Sequence, residues 1–105
     1  MKPQECVIKV NIVAIILEIT GASVIGWKNE KLKGRPLLTI IPESYWDGFL
    51  LAVSYYLISG EMAILDERIP VHIVTAKGKE LPMTLYTVKE GPNNFLNILT
   101  KRDEE

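Results

Sequence analysis

The sequence holds one cysteine and one histidine, and its charges almost cancel, to a formal net charge of -1. Each scarcity excludes something. A lone Cys6 closes no disulfide within the chain, and without a CxxC pair or a Cys/His cluster no zinc ligand set exists. A cytosolic, reducing compartment is the simplest setting. Cys6 reads as a small apolar residue in a strand. The sharper alternative, a redox or flavin-adduct thiol, has no supporting motif around it. The balanced charge, with Lys and Arg spread along the chain, gives no electrostatic drive toward nucleic acid or an anionic membrane. Long apolar runs are missing too. The longest, Ile12 to Ile19, contains Glu18, whereas a membrane-spanning helix needs roughly 20 apolar residues. The order of a signal peptide is also lacking. The chain reads as a soluble piece, and excision from a membrane-bound receptor stays open.

Catalytic constellations are equally scarce. A Ser/His/Asp arrangement would have to use His72, which falls in a predicted strand with no Gly-x-Ser-x-Gly elbow nearby. The P-loop and the dinucleotide Gly-rich fingerprint are absent. Asp66 and Glu67 are sequence neighbours, so in extended chain they point to opposite faces and read as a solvated charge patch. These gaps argue against an enzyme: no nucleophile can be paired with a base.

What is present is the composition of a folded domain. Hydrophobic residues make up 48% of the 105 and charged residues 24%, and division would leave pieces too small to bury a core. Residues 1–105 are therefore expected to form a single domain. Glu5 to Val10 and Val13 to Ile19 are β-branched runs separated by Asn11, which predicts a hairpin. Thr20-Gly21 breaks the pattern, and Ala22 to Gly34 fits short helical turns. Pro36 and Pro42 bracket Leu37 to Ile41, either a brief helix or an extended plug.

Ser44 to Ser59 is the clearest helical signal. Ser44 is the expected N-cap, Asp47 sits near the positive end of the dipole, and Gly60 is the expected stop. Tyr45, Phe49, Val53 and Tyr56 recur at helical spacing, with Trp46, Leu50 and Leu57 on an adjoining stripe. Gly48 inside the helix costs roughly 1 kcal/mol against Ala, and a close contact there would explain it. The period then changes to two. Ile69, Val71 and Ile73 alternate with Pro70, His72 and Val74; Lys77-Gly78-Lys79 is a hairpin turn; Leu81, Met83 and Leu85 alternate in the next strand. Gly91-Pro92-Asn93-Asn94 turns into a last strand, Phe95 to Thr100, and a charged tail follows. The fold class is α+β: a five-stranded antiparallel sheet with helices packed on one face.

At this point the chain resembles the PAS domain family over nearly its whole length. Gly26-Trp27, Glu30 to Leu32 and Gly34-Arg35 resemble the family's "Gly-Tyr… Glu-Glu-Leu… Gly-Arg" stretch. Ile41-Pro42-Glu43 resembles the element leading into its long helix, and Ser59-Gly60-Glu61 the end of that helix. Thr75 to Pro82 is similar to the family's "Lys-Asp-Gly" hairpin. Thr100-Lys101-Arg102-Asp103 falls where its "Asp-Ile-Thr" end mark stands. The chain departs from the pattern in three places. Thr20 stands where many members carry Asn, Lys77 directly precedes Gly78 with no hairpin Asp, and Glu104-Glu105 follow Asp103.

The resemblance implies a sensory or docking module, often dimeric, attached to an effector such as a histidine kinase, a cyclic-dinucleotide enzyme or a transcription regulator. The signal would leave through the last strand. The chain ends near that exit, which reads as a sensor piece without its effector. Heme members commonly take an axial histidine from around the long helix, and no His lies between Ser44 and Gly60. Flavin-adduct members carry an Asn-Cys-Arg motif that is absent here. No cofactor is therefore expected. His72, out of phase with Ile69, Val71 and Ile73, is expected to face outward.

The aromatic stripe has two readings. Helical spacing alone makes it core. The functional reading is a cavity between the long helix and the sheet, walled by Trp46, Phe49, Val53, Tyr56, Leu85 and Phe95, that takes an unknown small apolar ligand. A homodimer is expected through the first strand and the outer sheet face, where Val74 and Tyr86 are expected to be exposed. The alternative is a docking or dimerisation domain with a filled interior and no ligand.

Overall fold

A computed structural model describes residues 5–102. Two hydrophobic runs fold back on each other as β1 (Glu5–Asn11) and β2 (Ile16–Thr20). The turn is built by Asn11, whose Oδ1 accepts from the backbone N–H of Val13 (3.1 Å) and Ile15 (2.9 Å), an Asx arrangement that releases the strand into a tight bend. After β2 come a 3-10 turn over Ala22–Ile25, a single helical turn α1 (Asn29–Leu32), and further 3-10 turns over Leu37–Ile40 and Glu43–Tyr45. Helix α2 (Trp46–Ser59) follows, and then β3 (Arg68–Val74), β4 (Glu80–Glu90) and β5 (Asn94–Lys101). The sheet order is β2-β1-β5-β4-β3 with every neighbouring pair antiparallel. The first and last strands are thus neighbours at its centre.

The register decides which side chains face the helical side. Ile8 pairs with Asn97, Val10 with Phe95, Leu85 with Leu99 and Val71 with Met83. Period-two alternation then places Cys6, Ile8, Val10, Ile73, Met83, Phe95 and Leu99 on one inner face, all buried. Ala22, Ile25, Leu32, Ile40 and Tyr56 from the helical block complete this core. The leftover short turns that the sequence punctuates with Gly and Pro therefore act as a lid on the sheet.

Two expectations for α2 need correction. Ser44 is not its N-cap: the cap position is Tyr45, without a side-chain hydrogen bond. Pro42 instead starts a 3-10 turn closed by the Tyr45 N–H on the Pro42 carbonyl (2.9 Å), and the helix grows from that turn. Nor does a close contact explain Gly48, since a Cβ there would meet no atom within 4 Å. The C-terminal stop is as expected. Gly60 takes φ 75, and its N–H bonds the Tyr56 carbonyl at 2.7 Å, a conformation that glycine adopts without steric cost.

The outer sheet face carries Val7, Tyr86, Val88, Leu96 and Ile98 at the alternate register positions, each half-buried. Val74 and Tyr86 point outward as expected, but both are half-buried rather than exposed. The Arg68 guanidinium lies 5.0 Å over the Tyr86 ring, and the Trp27 indole donates to the Val74 carbonyl at 2.8 Å. Asp66 and Glu67 are exposed. Asp103, part of the expected end mark, lies outside the described residues, as does the tail beyond it.

Candidate functional site: a cavity between helix and sheet

Helix α2 leans over the inner sheet face without closing on it. Of its 14 residues, only Tyr56 is buried, its ring edge-on to Phe95 at 5.1 Å and 79°. Phe49 and Val53 are half-buried, whereas Leu51 is 72% and Ile58 87% exposed. The stand-off leaves a cavity of about 530 Å³ between the helical block and the sheet. Its walls come from the Leu37–Ile40 turn and the residue after it (Leu37, Ile40, Ile41), from Tyr45 and Phe49, and from the sheet (Ile8, Val71, Ile73, Leu85, Leu99). A smaller cavity of about 130 Å³ lies further along, walled by Val53, Tyr56, Phe95 and Met62 among others. Leu37, Phe49, Leu85 and Asn97 line both, so the two spaces share a boundary. The larger volume falls within the roughly 300–1,000 Å³ of ordinary small-molecule sites, and the apolar lining with few polar groups has the usual character.

Of the residues expected to line such a cavity, Phe49 and Leu85 border both spaces, and Val53, Tyr56 and Phe95 border the smaller one. Trp46 borders neither. Its indole N–H donates to the Ile41 carbonyl at 2.7 Å, which turns the ring back along the entry to α2. Sequence reasoning missed the polar groups of the wall. Asn97 is buried on the inner face, where Thr87 Oγ1 donates to its Oδ1 at 2.8 Å and its Nδ2 donates to the Ile8 carbonyl at 3.4 Å. The signal was available: in the alternation Phe95, Asn97, Leu99 a polar residue occupies a core phase. Arg102, read as part of a charged tail, instead lies against the cavity. Its Nε donates to the Met83 carbonyl (3.1 Å) and its Nη2 to the Val71 carbonyl (2.9 Å).

The remaining chemistry-bearing residues are placed elsewhere. His72 is exposed at the cavity's edge-strand side, with Nδ1 3.1 Å from Glu80 Oε1. Cys6 is fully buried in β1, and burial pushes its thiol up to about 12. A neutral, enclosed thiol is a poor nucleophile. Among the described residues no group of three or more His, Cys, Asp or Glu is placed to hold a metal ion, and no helix is long and apolar enough to cross a membrane.

The architecture has clear counterparts. No family model and no curated protein matches the sequence. Among solved structures, the chain is similar to the PAS domain of the RpfR quorum-sensing receptor of Cronobacter turicensis. In complex with BDSF that domain superposes with a TM-score of 0.74 at 12% identity, covering 98% of both chains. In complex with C12:0 it gives 0.75 at 11% identity, again covering 98% of both. A domain of a sensory box sensor histidine kinase/response regulator from Geobacter sulfurreducens gives 0.72 at 16% identity, covering 93% of this chain and 83% of that one. The fold is therefore PAS-like: a five-stranded antiparallel sheet with its helices on one face.

Proposed function

We propose that this chain is a sensory module of a signalling protein, non-enzymatic and cytoplasmic, that takes a small apolar ligand between α2 and the sheet. The observation that carries this reading is the apolar cavity of about 530 Å³. The space opens to solvent where α2 stands off the sheet, and a concave, largely apolar groove of this size in so small a domain is best accounted for by an occupant. Phe49, Val53, Tyr56, Leu85 and Phe95 are the proposed apolar contacts. The RpfR domain, of the same fold, is known with BDSF and with C12:0 bound, which supports an acyl-type ligand here.

Strand β5 borders the cavity through Asn97 and Leu99 and ends at Lys101. Occupancy would be felt along β5 and passed to an effector beyond it, such as a histidine kinase or a transcription regulator. The test is native mass spectrometry of protein purified from cells, alongside Leu85→Trp, which fills the space. A co-purified small molecule in the wild type and its loss in L85W support the reading. Absence of any adduct, with no rise in Tm across a panel of acyl compounds, sinks it.

A second reading, a docking or homodimerising module, is favoured by a separate observation. Val7, Tyr86, Val88, Leu96 and Ile98 form an apolar strip on the outer sheet face, bordered by charged residues such as Lys9, Arg68 and Glu90. Apolar patches of this kind mark association surfaces. Association on this face is compatible with a ligand on the opposite one, whereas the ligand-free form of this reading expects a filled interior.

A further inference from the structure

The cavity is apolar but not electrically neutral. Its lining holds one permanently charged side chain, Arg102, and no Asp or Glu. Arg102 is half-buried. A guanidinium has five N–H donors in a fixed fork. Two of Arg102's go to the Met83 and Val71 carbonyls, which leaves three without a protein acceptor among the described residues. Those two bonds hold the fork in place, but neutral carbonyls do not neutralise it. A half-buried cation with no acidic partner among the described residues gains when an anion docks. The planar, weakly hydrated guanidinium suits a carboxylate or phosphate oxygen pair.

We infer that Arg102 is the anchor for the anionic head of an amphiphilic ligand whose apolar chain lies along the inner sheet face. The inference rests on the ligand-binding reading above and adds the ligand's charge and direction. Arg102 follows β5 at its C-terminal end, where Lys101 pairs with Met83, while Phe95 stands near the strand's start in the smaller cavity. At about 3.3 Å per residue the two ends are about 23 Å apart. Leu99 and Leu85 line the path between them, and the buried Asn97 offers a mid-chain amide. A linear acyl chain with one terminal anion matches this layout, whereas a compact dianion would leave the apolar end empty. His72 Nδ1 already lies 3.1 Å from Glu80 Oε1.

The test compares decanoate with decan-1-ol, which share a chain and differ in head charge, by titration calorimetry on the intact chain. The wild type should bind decanoate about ten- to a hundredfold more tightly, the scale of one charge-assisted hydrogen-bonded pair. Arg102→Gln should bind both probes alike, and Arg102→Lys should keep part of the preference. Retained alcohol binding shows that R102Q is folded. As a readout that needs no variant, the wild-type Arg102 Nε–Hε resonance should move with decanoate and not with the alcohol. Equal wild-type affinity for the two probes, or an undiminished preference in R102Q, overturns the anchor and leaves the apolar site standing. Binding of neither probe overturns both.

Discussion

Thr87 and Asn97 face each other across β4 and β5 and share a hydrogen bond of 2.8 Å in an otherwise apolar interior, each at most 5% exposed. The pair ties the cavity wall to the sheet register. Removing one partner strands the other, which costs about 1–3 kcal/mol, whereas replacing both with apolar groups of similar shape is far milder. Thr87→Val and Asn97→Leu should each lower unfolding free energy by that amount in urea titrations, and the double variant should lose clearly less than the two singles together. Strict additivity would show that the hydrogen bond contributes no coupling.

Cys6 makes stability depend on alkaline pH. Its folded pKa is raised from 9.0 to about 12 by burial, so above pH 9 the unfolded chain loses this proton while the folded chain keeps it. The contribution is fully present below pH 9 and is lost as pH climbs toward 12, at up to about 1.4 kcal/mol per pH unit. The wild type should therefore lose more stability than Cys6→Ala between pH 8 and pH 10.5. Parallel pH profiles for the two proteins would contradict this. A thiol reagent at pH 8 should label Cys6 only as fast as the native state opens.

Gly26 and Trp27, two of the residues behind the family resemblance, have a mechanical role. Gly26 ends its 3-10 turn at φ 76, and a Cβ there would come within 2.8 Å of the Thr75 side chain. Its carbonyl accepts from Ala76 N–H at 3.2 Å while Trp27 caps Val74. Together they fasten the helical block to the end of edge strand β3. Gly26→Ala should cost about 1–3 kcal/mol through backbone strain and crowding, and Trp27→Phe about 1 kcal/mol for the lost hydrogen bond. Chemical denaturation measures both, and a neutral G26A would refute the close approach.

The outer sheet face gives a prediction about assembly. If it mediates self-association, Ile98→Lys places a charge at its centre and should shift the protein toward monomer in light scattering, with the fold intact by circular dichroism. An unchanged mass for the variant, or a strictly monomeric wild type at high concentration, removes this role.

Much of this arrangement was legible in the residues. The switch from helical to two-residue spacing after Gly60 located α2 and the strands that follow, and Ile69, Val71 and Ile73 carried the inner phase. Periodicity reports which face a residue takes, not how far that face stands from its neighbour. Helical spacing alone left the aromatic stripe open between core and cavity wall for that reason; α2 stands off, and Phe49 and Val53 border open space. Trp46, on the adjoining stripe, was expected in the cavity wall too, but its indole N–H found the Ile41 carbonyl, a contact set by the turn after Pro42 rather than by helical spacing. Arg102 read as tail. Its place against the cavity depends on the pairing of Lys101 with Met83, 18 positions earlier in the chain, which no local pattern encodes.

The most direct test uses isoleucine methyl groups as reporters inside and outside the proposed site. Ile8, Ile40, Ile41 and Ile73 line the cavity, whereas Ile58 lies 87% exposed on the far side of α2 and Ile98 on the outer sheet face. In a methyl NMR titration with decanoate, the first four should shift saturably while Ile58 and Ile98 stay in place. Shifts confined to Ile58 or Ile98, or no shifts at all, would contradict a ligand site between helix and sheet.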